Sequence, residues 1–288
     1  MDSTQIHWKR VIPFIFLHAT LLLTLVVGVT PMALVVCFIS YILRMFAITG
    51  FYHRYFSHKS FKAAKWVEIL FASIGASACQ RGPIWWASMH RRHHLYSDQD
   101  QDPHAARKGF VWTHFKWFLI NDHFEIDSKR VKDLLKSPGV CFIDRFDMLF
   151  PVIYTGLIAL LGAYLQSLGY DITPLQAVIW GFFVSTVLVM HATFCVNSLC
   201  HIWGKKRFPT KDNSRNNGLV ALITLGEGWH NNHHFAPGTA KQGFHWAEVD
   251  LCYLCLKFMS LFGLVWDLKP IPEHVAKQLN TAQNSQQC

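Results

Sequence analysis

Hydrophobic residues in this chain occur in long blocks and not in an even scatter. Four blocks are long enough to cross a bilayer, because a spanning helix needs about 20 mostly apolar residues. They cover roughly residues 11–29, 32–50, 148–169 and 174–195. A short turn separates the first two blocks and another separates the last two. The pattern therefore predicts two membrane-spanning helical hairpins.

Two shorter apolar runs carry charge and are typical of helices that lie in or under the membrane interface. Residues 66–79 include Glu68, and residues 251–266 include Lys257. The segments 51–147 and 197–271 are dense in aromatic residues and are predicted to fold as a helical cytosolic cap. Residues 272–288 are expected to form a loose tail. The predicted fold class is an all-α integral membrane protein, with residues 1–288 as one domain.

Composition agrees, since 51% of the chain is hydrophobic and 16% is charged, against about 25% charged in soluble proteins. The turns at 28–32 and 167–176 contain no Lys or Arg. If both termini are cytosolic, all 27 basic residues lie on the cytosolic side or at that end of a span, with Arg44 alone well inside a block. This bias predicts the orientation. The net charge of +9 is then expected to face lipid headgroups, and no nucleic-acid partner is predicted.

Nine of the 17 histidines lie at four places on that predicted cytosolic side. They are His53 and His58, His90, His93 and His94, His201 alone, and His230, His233 and His234. Positions i, i+3 and i+4 of a helix lie on one face, so each triplet is predicted to aim three imidazoles at a common point. Imidazole is a common ligand for iron, zinc, copper and nickel. Surface histidines on polar helix faces are the alternative, but they do not explain two identical triplets.

Nine ligands exceed the about four to six that one first-row metal ion takes, so the count predicts two ions with room for water or oxygen. Asn197 lies one turn before His201, where its amide is placed to hold a metal-bound water. No run of carboxylates accompanies the histidines. The predicted site therefore differs from the glutamate-rich di-iron bundles.

The motif order H-x4-H, H-x2-H-H, N-S-x-x-H, H-x2-H-H, placed among two hairpins, resembles the integral-membrane fatty-acid desaturases. It is similar in particular to their acyl-CoA (stearoyl-CoA type) Δ9 branch. The resemblance rests on the motifs Gly-Phe-Tyr-His-Arg at 50–54 and Gly-Glu-Gly-Trp-His-Asn at 226–231. The motif with Trp246 and Glu248 looks more like bacterial members, which implies a bacterial inner membrane.

The resemblance implies two iron ions that use O2 and two electrons to insert a cis double bond into a saturated acyl chain. It implies ligand roles for the nine histidines, with Asn197 acting through water. No cytochrome b5 domain follows Pro270, so a separate donor of the ferredoxin or cytochrome b5 type is expected. The substrate stays open between a fatty acyl thioester such as acyl-CoA and an acyl lipid of the membrane.

Several other residues are candidates. Asp102 and Glu227 are expected to accept hydrogen bonds from ligand imidazoles and fix their tautomers. Tyr41 and Cys37 are hypothesised to limit the length of the bound acyl chain. Trp86, Arg91 and Arg92 are candidate substrate contacts; Arg54, Arg81, Arg107 and Lys108 are further candidates for phosphate groups. The Lys205-Lys206-Arg207 run is a candidate docking point for an acidic electron carrier. His18 and His191, inside the spans, are expected to hydrogen-bond between helices.

Three other functions fit parts of the pattern. A membrane di-iron hydroxylase of alkanes, sterols or carotenoids uses similar histidines, and product analysis separates it because hydroxylation adds an oxygen atom while desaturation removes two hydrogens. A metal transporter needs ionisable groups along its path, but the third and fourth blocks contain none of Asp, Glu, Lys or Arg. A non-catalytic scaffold has no need for all nine histidines.

Overall fold

The computed structural model describes residues 5–120 and 124–284, and within them the fold is mostly helical. The helices are α1 (Trp8–Val27), α2 (Pro31–Ser57), α3 (Lys65–Ala76), α4 (Pro83–Tyr96), α5 (Trp112–Lys116, continued by Trp117–Leu119), α6 (Pro138–Arg145), α7 (Leu149–Ser167), α8 (Pro174–Ile202), α9 (Gly218–Ile223), α10 (His230–Phe235), α11 (Leu251–Leu261) and α12 (Glu273–Asn284). Short 3-10 turns occur at Ala106–Lys108 and Leu134–Lys136. Strands β1 (Lys62–Ala63) and β2 (Val265–Trp266) pair antiparallel, with Lys62 opposite Trp266.

Within the described residues, four helices are long and apolar enough to cross a membrane: α1, α2, α7 and α8. This confirms the predicted fold class. The apolar windows of α2 and α8 are each 56% buried, against 6% for α1 and 17% for α7. Helices α2 and α8 are therefore central, and α1 and α7 are peripheral.

Helices α2 and α8 continue past the predicted ends of their spans, at residues 50 and 195, to Ser57 and Ile202. The two helices that form the centre of the membrane part thereby enter the cap without a break. Their extensions carry His53 and His201 out of the apolar region, so the cap histidines are held on rigid elements.

Arg44 joins the two central helices deep in the molecule. Its guanidinium is fully buried and donates to Thr186 Oγ1 at 2.6 Å and to the Phe182 carbonyl at 3.3 Å. Phe182 lies in a π-helical stretch of α8, Ile179–Val184, and such stretches disturb the regular backbone pairing. Oxygen acceptors from this stretch and from α8 hydroxyls thus satisfy a charge that would otherwise be costly to bury.

The main core lies where α2 enters the cap. Phe51, Tyr52, Phe56 and Phe61 are buried together, and Phe51 stacks on Phe71 of α3 with ring centroids 4.2 Å apart. Helices α3 and α11 are the two predicted interfacial helices. Each buries one side and exposes large apolar residues on the other, namely Trp66 and Leu70 on α3 and Leu254, Phe258 and Leu261 on α11. Their position at the membrane interface stays a prediction.

The C-terminal segment differs from the expected loose tail. Residues 273–284 form α12, in which Val275 is fully buried and packs with Leu279 near Phe208 and Phe244. The prediction is wrong there because one i, i+4 apolar pair on a polar helix gives only a weak hydropathy signal. Residues 285–288 of that predicted tail lie outside the described residues.

Three histidines outside the motifs form a hydrogen-bonded row across helices. His18 Nε2 lies 2.9 Å from His191 Nε2, which confirms the expected bond between spans. His191 Nδ1 is 3.0 Å from His114 Nε2, and His114 Nδ1 is 2.9 Å from Ser198 Oγ. The row fastens α5 of the cap to the spans α1 and α8.

Candidate metal centre and adjoining cavities

Five histidines form the group that we call the first cage: His53, His58, His90, His94 and His233. One nitrogen of each lies within 4.8 Å of the others. His58 Nε2 is 2.7 Å from His90 Nε2, and His233 Nε2 is 3.0 Å from His53 Nε2 and 2.8 Å from His94 Nε2. The ring nitrogens therefore converge on one small volume.

The H-x4-H spacing reaches this cage because the end of α2 is π-helical over Ala47–Ser57. The His58 N–H donates to the His53 carbonyl at 3.2 Å, an i to i+5 bond. In an α-helix a spacing of five would turn the two side chains about 140° apart. The wider π turn brings them to the same side, and such turns are frequent at functional sites.

Four histidines form the second cage: His93, His201, His230 and His234. His93 Nε2 is 3.3 Å from His234 Nε2, and His201 Nε2 is 3.1 Å from His230 Nε2. Helix α8 supplies His201, while α4 and α10 supply the other three.

Each histidine triplet is shared between the two cages. Helix α4 gives His90 and His94 to the first cage and His93 to the second. Helix α10 gives His233 to the first, and His230 with His234 to the second. The prediction that each triplet meets at a single point is wrong, because positions i+3 and i+4 diverge by about 100° around the helix. That divergence is wide enough to address two neighbouring centres.

In five of the histidine rings, the Nδ1 nitrogen, which points away from the cage, contacts an acidic or amide side chain. Asp102 lies 3.0 Å from His93 Nδ1, and the Glu227 carboxylate contacts His53 Nδ1. Sequence reasoning named these two and missed three others. Asp98 lies 3.2 Å from His201 Nδ1, Asp212 lies 2.8 Å from His234 Nδ1, and Gln242 Nε2 lies 3.3 Å from His233 Nδ1.

The sequence offered little to find these three. Asp98 and Asp100 look alike in the run Ser-Asp-Gln-Asp-Gln-Asp-Pro, yet Asp98 contacts a cage and the Asp100 side chain is 84% exposed. Asp212 and Gln242 come from loops far along the chain from the rings they contact. Only the folded geometry distinguishes them.

The donor set fits metal ions. Where Nδ1–H donates to a carboxylate, as in His93 and His234, Nε2 keeps a lone pair, and these two lone pairs face each other. A cation between such nitrogens relieves their repulsion. Burial lowers the pKa of His58, His90, His94, His230 and His233 well below the ordinary value, so these rings are neutral ligands. The two cages can therefore bind metal.

The carboxylates behind the rings stay ionised. Burial alone would raise their pKa values, but the hydrogen bond with His201 helps to hold the pKa of Asp98 at about 2. His93 and His234 likewise hold the pKa values of Asp102 and Asp212 far below the ordinary range, against the effect of burial. Negative charge thus supports the ligands from outside the two cages, which increases the basicity of the coordinating nitrogens.

The Gly-Glu-Gly-Trp-His motif at residues 226–230 requires its two glycines because the surrounding chain packs closely against them. A Cβ on Gly228 would lie 2.1 Å from the Ala221 nitrogen, and Gly226 has φ +129. Between them, Glu227 also receives the fully buried Arg54 guanidinium at 3.0 Å, and Arg54 is paired in turn with Asp250 at 3.0 Å. This buried network fixes the start of α10 and hence its three imidazoles.

Two cavities adjoin the cages. A small one of about 40 Å³ is lined by residues of both cages, including His53, His90, His93 and His230, and by Asn197. This volume is large enough for a water-sized molecule. A larger cavity of about 730 Å³ lies between α1, α7 and α8 and shares His90, Trp86, Thr193 and Asn197 with the small one. Along α8 its lining runs from Phe182 to Asn197, about 22 Å.

The predicted substrate residues are placed unequally around these cavities. Trp86 lines both, whereas Tyr41 and Cys37 line neither. The Tyr41 hydroxyl donates to the Ile223 carbonyl at 2.5 Å, which argues against a role in chain length. Arg91 is paired with Asp133 at 2.7 Å, and Arg92 donates to the Gln101 carbonyl at 2.9 Å. Both arginines serve contacts within the cap.

Comparison with known proteins decides the family. The sequence model of the fatty acid desaturases ("Fatty acid desaturase") matches residues 29–254. The chain belongs to this desaturase family. It is 37% identical to the sn-2 palmitoyl-lipid 9-desaturase of Nostoc sp. (strain 36), over 91% of this chain and 90% of that protein.

Two further relatives differ in the substrate that their names give. The sn-1 stearoyl-lipid 9-desaturase of Anabaena variabilis is 35% identical over 92% of this desaturase and 94% of its own length. The Acyl-CoA C20 Delta5-desaturase of Anemone leveillei is 35% identical over 86% and 77%. The desaturase is therefore a membrane oxidoreductase of fatty-acid desaturation, and the scaffold and transporter alternatives do not apply.

Proposed function

We propose that the protein inserts a cis double bond, at Δ9, into a saturated acyl chain of a membrane lipid, using O2 and two electrons from a separate donor. The observation that carries this proposal is the wall shared by the large apolar cavity and the two histidine cages. Relatives that are named acyl-lipid 9-desaturases support both the substrate class and the bond position. An acyl-CoA substrate is the second candidate, favoured by the relative named for it.

Two iron ions, held by the nine histidines, supply the O2-activating chemistry that no side chain can provide. The chain's own residues position the substrate and control its surroundings. Trp86 and Thr193 separate the acyl chain from the cages, and Asn197 supports a water at the boundary. The carboxylates of Asp98, Asp102, Asp212 and Glu227 keep protons on the outer ring nitrogens, so the inner nitrogens stay available as ligands.

The cavity favours a substrate that enters from the bilayer. Two of the three spans that line it, α1 and α7, are the peripheral ones, with 6% and 17% of their apolar windows buried. A chain between two lightly packed helices can be exchanged with lipid without opening the central pair α2 and α8. From the distribution of Lys and Arg we further infer that both termini and the cap lie on the cytosolic side.

The test is expression in a host that cannot make unsaturated fatty acids, followed by mass spectrometry of the lipids by class and double-bond position. The expected product is a Δ9 monounsaturated chain in lipid. His233→Ala and Asn197→Ala should abolish it, while His274→Ala, on the exposed side of α12, should not. Hydroxylated chains would instead identify a hydroxylase, and labelled product in the acyl-CoA pool before the lipid pool would identify a thioester substrate.

A further inference from the structure

We propose that Arg10 and Arg81 bind a phosphate group attached to the carrier of the acyl chain, so that the enzyme selects phosphate-bearing substrates over uncharged lipids. The inference rests on the proposed function, because it assigns the polar end of the same substrate. Both arginines line the large cavity, together with His7 and Lys9. We call these four residues the charged end of the cavity.

Arg10 is held in a defined position at the start of α1. Its Nη1 donates to the Ile120 carbonyl at 2.6 Å and to the Phe118 carbonyl at 3.3 Å. Its guanidinium carbon lies 3.4 Å from the centre of the Phe124 ring. Among the described residues no carboxylate pairs with it. An arginine whose only role is to set the membrane orientation of a span would extend its charged group into water. The Arg10 guanidinium is instead fixed against the Phe124 ring at the edge of an apolar cavity.

Arg81 approaches the same ring from the loop before α4. Its guanidinium carbon lies 5.8 Å from the centre of Phe124, and its Nε lies 3.2 Å from Asp147 Oδ2. The side chain is 47% exposed, so its terminal nitrogens remain accessible. In the described part of the chain, Asp147 forms an ion pair with Arg81, and Asp144 also interacts with Arg81 electrostatically. Against these two carboxylates the charged end carries three cations, Lys9, Arg10 and Arg81.

The backbone that presents Arg81 is strained. Cys79 and Arg81 have φ +59 and +68, a region that residues other than glycine rarely adopt. Between them Gln80 donates to Thr193 Oγ1 at 3.1 Å, and all three residues line the cavity. Strain of this kind is retained where it positions groups for a ligand. Here it turns three successive side chains towards one cavity.

The chemistry of the charged end matches a phosphate ester. Two guanidinium groups can donate charge-assisted hydrogen bonds to one phosphate. A sugar head group has no charge to meet these cations. The phosphate can belong to a glycerophospholipid or to coenzyme A, and the arms of the test separate these sources.

The experiment uses the purified iron-loaded enzyme, supplied with O2 and with reduced ferredoxin as the electron donor, in nanodiscs of three kinds. They are made of saturated phosphatidylglycerol, of saturated monogalactosyldiacylglycerol, or of the latter with stearoyl-CoA added. Product is measured in each lipid class, and retained lipid is measured by native mass spectrometry. The wild type should desaturate the phosphate-bearing substrate about tenfold faster than the galactolipid. The double variant Arg10→Gln/Arg81→Gln should lose this preference, measured as the ratio of the two rates, and should retain less phospholipid.

The matched control is Arg145→Gln, an exposed arginine that stacks on Phe146 outside the cavity. It should keep the preference. Preference for stearoyl-CoA, lost in the double variant, would support the site with coenzyme A as the source. Equal wild-type rates on all three substrates, or an unchanged preference in the double variant, would overturn the proposal. An iron-loaded wild type that desaturates nothing overturns the proposed function instead, and lipid retention then decides the phosphate site separately.

Discussion

At the scale of single residues, the properties of each cage depend on the group that holds the far nitrogen of each ring. Asp212 contacts His234 of the second cage from an exposed loop, and its Oδ1 accepts from the Ser214 N–H at 3.0 Å. The loop therefore fixes the carboxylate, and the carboxylate fixes the ring. Outer partners of this type are typically worth 10- to 100-fold in metal affinity.

Replacing Asp212 by Ala should accordingly weaken iron binding by about 10- to 100-fold. Iron content after dialysis against a graded chelator measures this. Asp267→Ala is the matched control, because Asp267 pairs with Lys62 at the surface. Equal iron retention in the two variants would contradict a positioning role for Asp212.

His114 sets a pH dependence of stability. Burial, followed by the neighbouring His191, lowers the pKa of His114 to about 4. The unfolded chain then takes up this proton at a higher pH than the folded one, so stability falls as the pH drops from about 6.5 towards 4. The midpoint of thermal unfolding should decline less steeply over this range in His114→Gln than in the wild type. Parallel declines would show that His114 contributes nothing.

At the scale of elements, the long helices were predictable and their irregular parts were not. Blocks of apolar residues show a span directly, so α1, α2, α7 and α8 follow from composition. The π turns in α2 and α8 do not, because a π turn has no periodicity of its own in the sequence. The same limit explains the sharing of triplets between cages, since spacing alone does not say how α4 and α10 are rotated about their axes.

The cavity between α1, α7 and α8 predicts where acyl chain length is determined. Its deep end is lined by Val152 and Thr155 of α7 and by Phe182 and Phe183 of α8. Thr155→Trp should fill that end and shift the product profile towards shorter chains. Tyr41→Ala, outside both cavities, should leave the profile unchanged. Gas chromatography of the fatty acids from cells expressing each variant measures the outcome, and a shift in Tyr41→Ala alone would restore the earlier hypothesis.

At the scale of the whole molecule, we expect the substrate and the proposed electron donor to approach different faces of the cages. The large cavity adjoins His90, while neither His94 nor His234 lines either of the two cavities described above. The loop that carries Asp212 exposes Lys205, Lys206 and Lys211 and turns its one carboxylate inward to His234. An acidic carrier attracted to these lysines would be connected to the second cage through Asp212.

Charge reversal of Lys205, Lys206 and Lys211 to Glu should slow ferredoxin-supported desaturation by about tenfold at low salt. Reversal of Lys129 and Lys132, exposed elsewhere on the cap, should have a much smaller effect. Turnover with a small chemical reductant should be the same in all three proteins. A loss that persists with the chemical reductant would mean that the lysines act on folding and not on docking.

The interleaving of the two cages also bears on how the enzyme would bind the two proposed iron ions. When His90 and His94 of α4 bind one ion in the first cage, the same orientation of the helix places His93 in the second cage. Helix α10 does the converse, because its His230 and His234 belong to the second cage and its His233 to the first. Uptake of the first ion therefore prepares the second site, and a titration with ferrous iron should be cooperative with an end point of two per chain. Mutants that empty one position should lose both ions together.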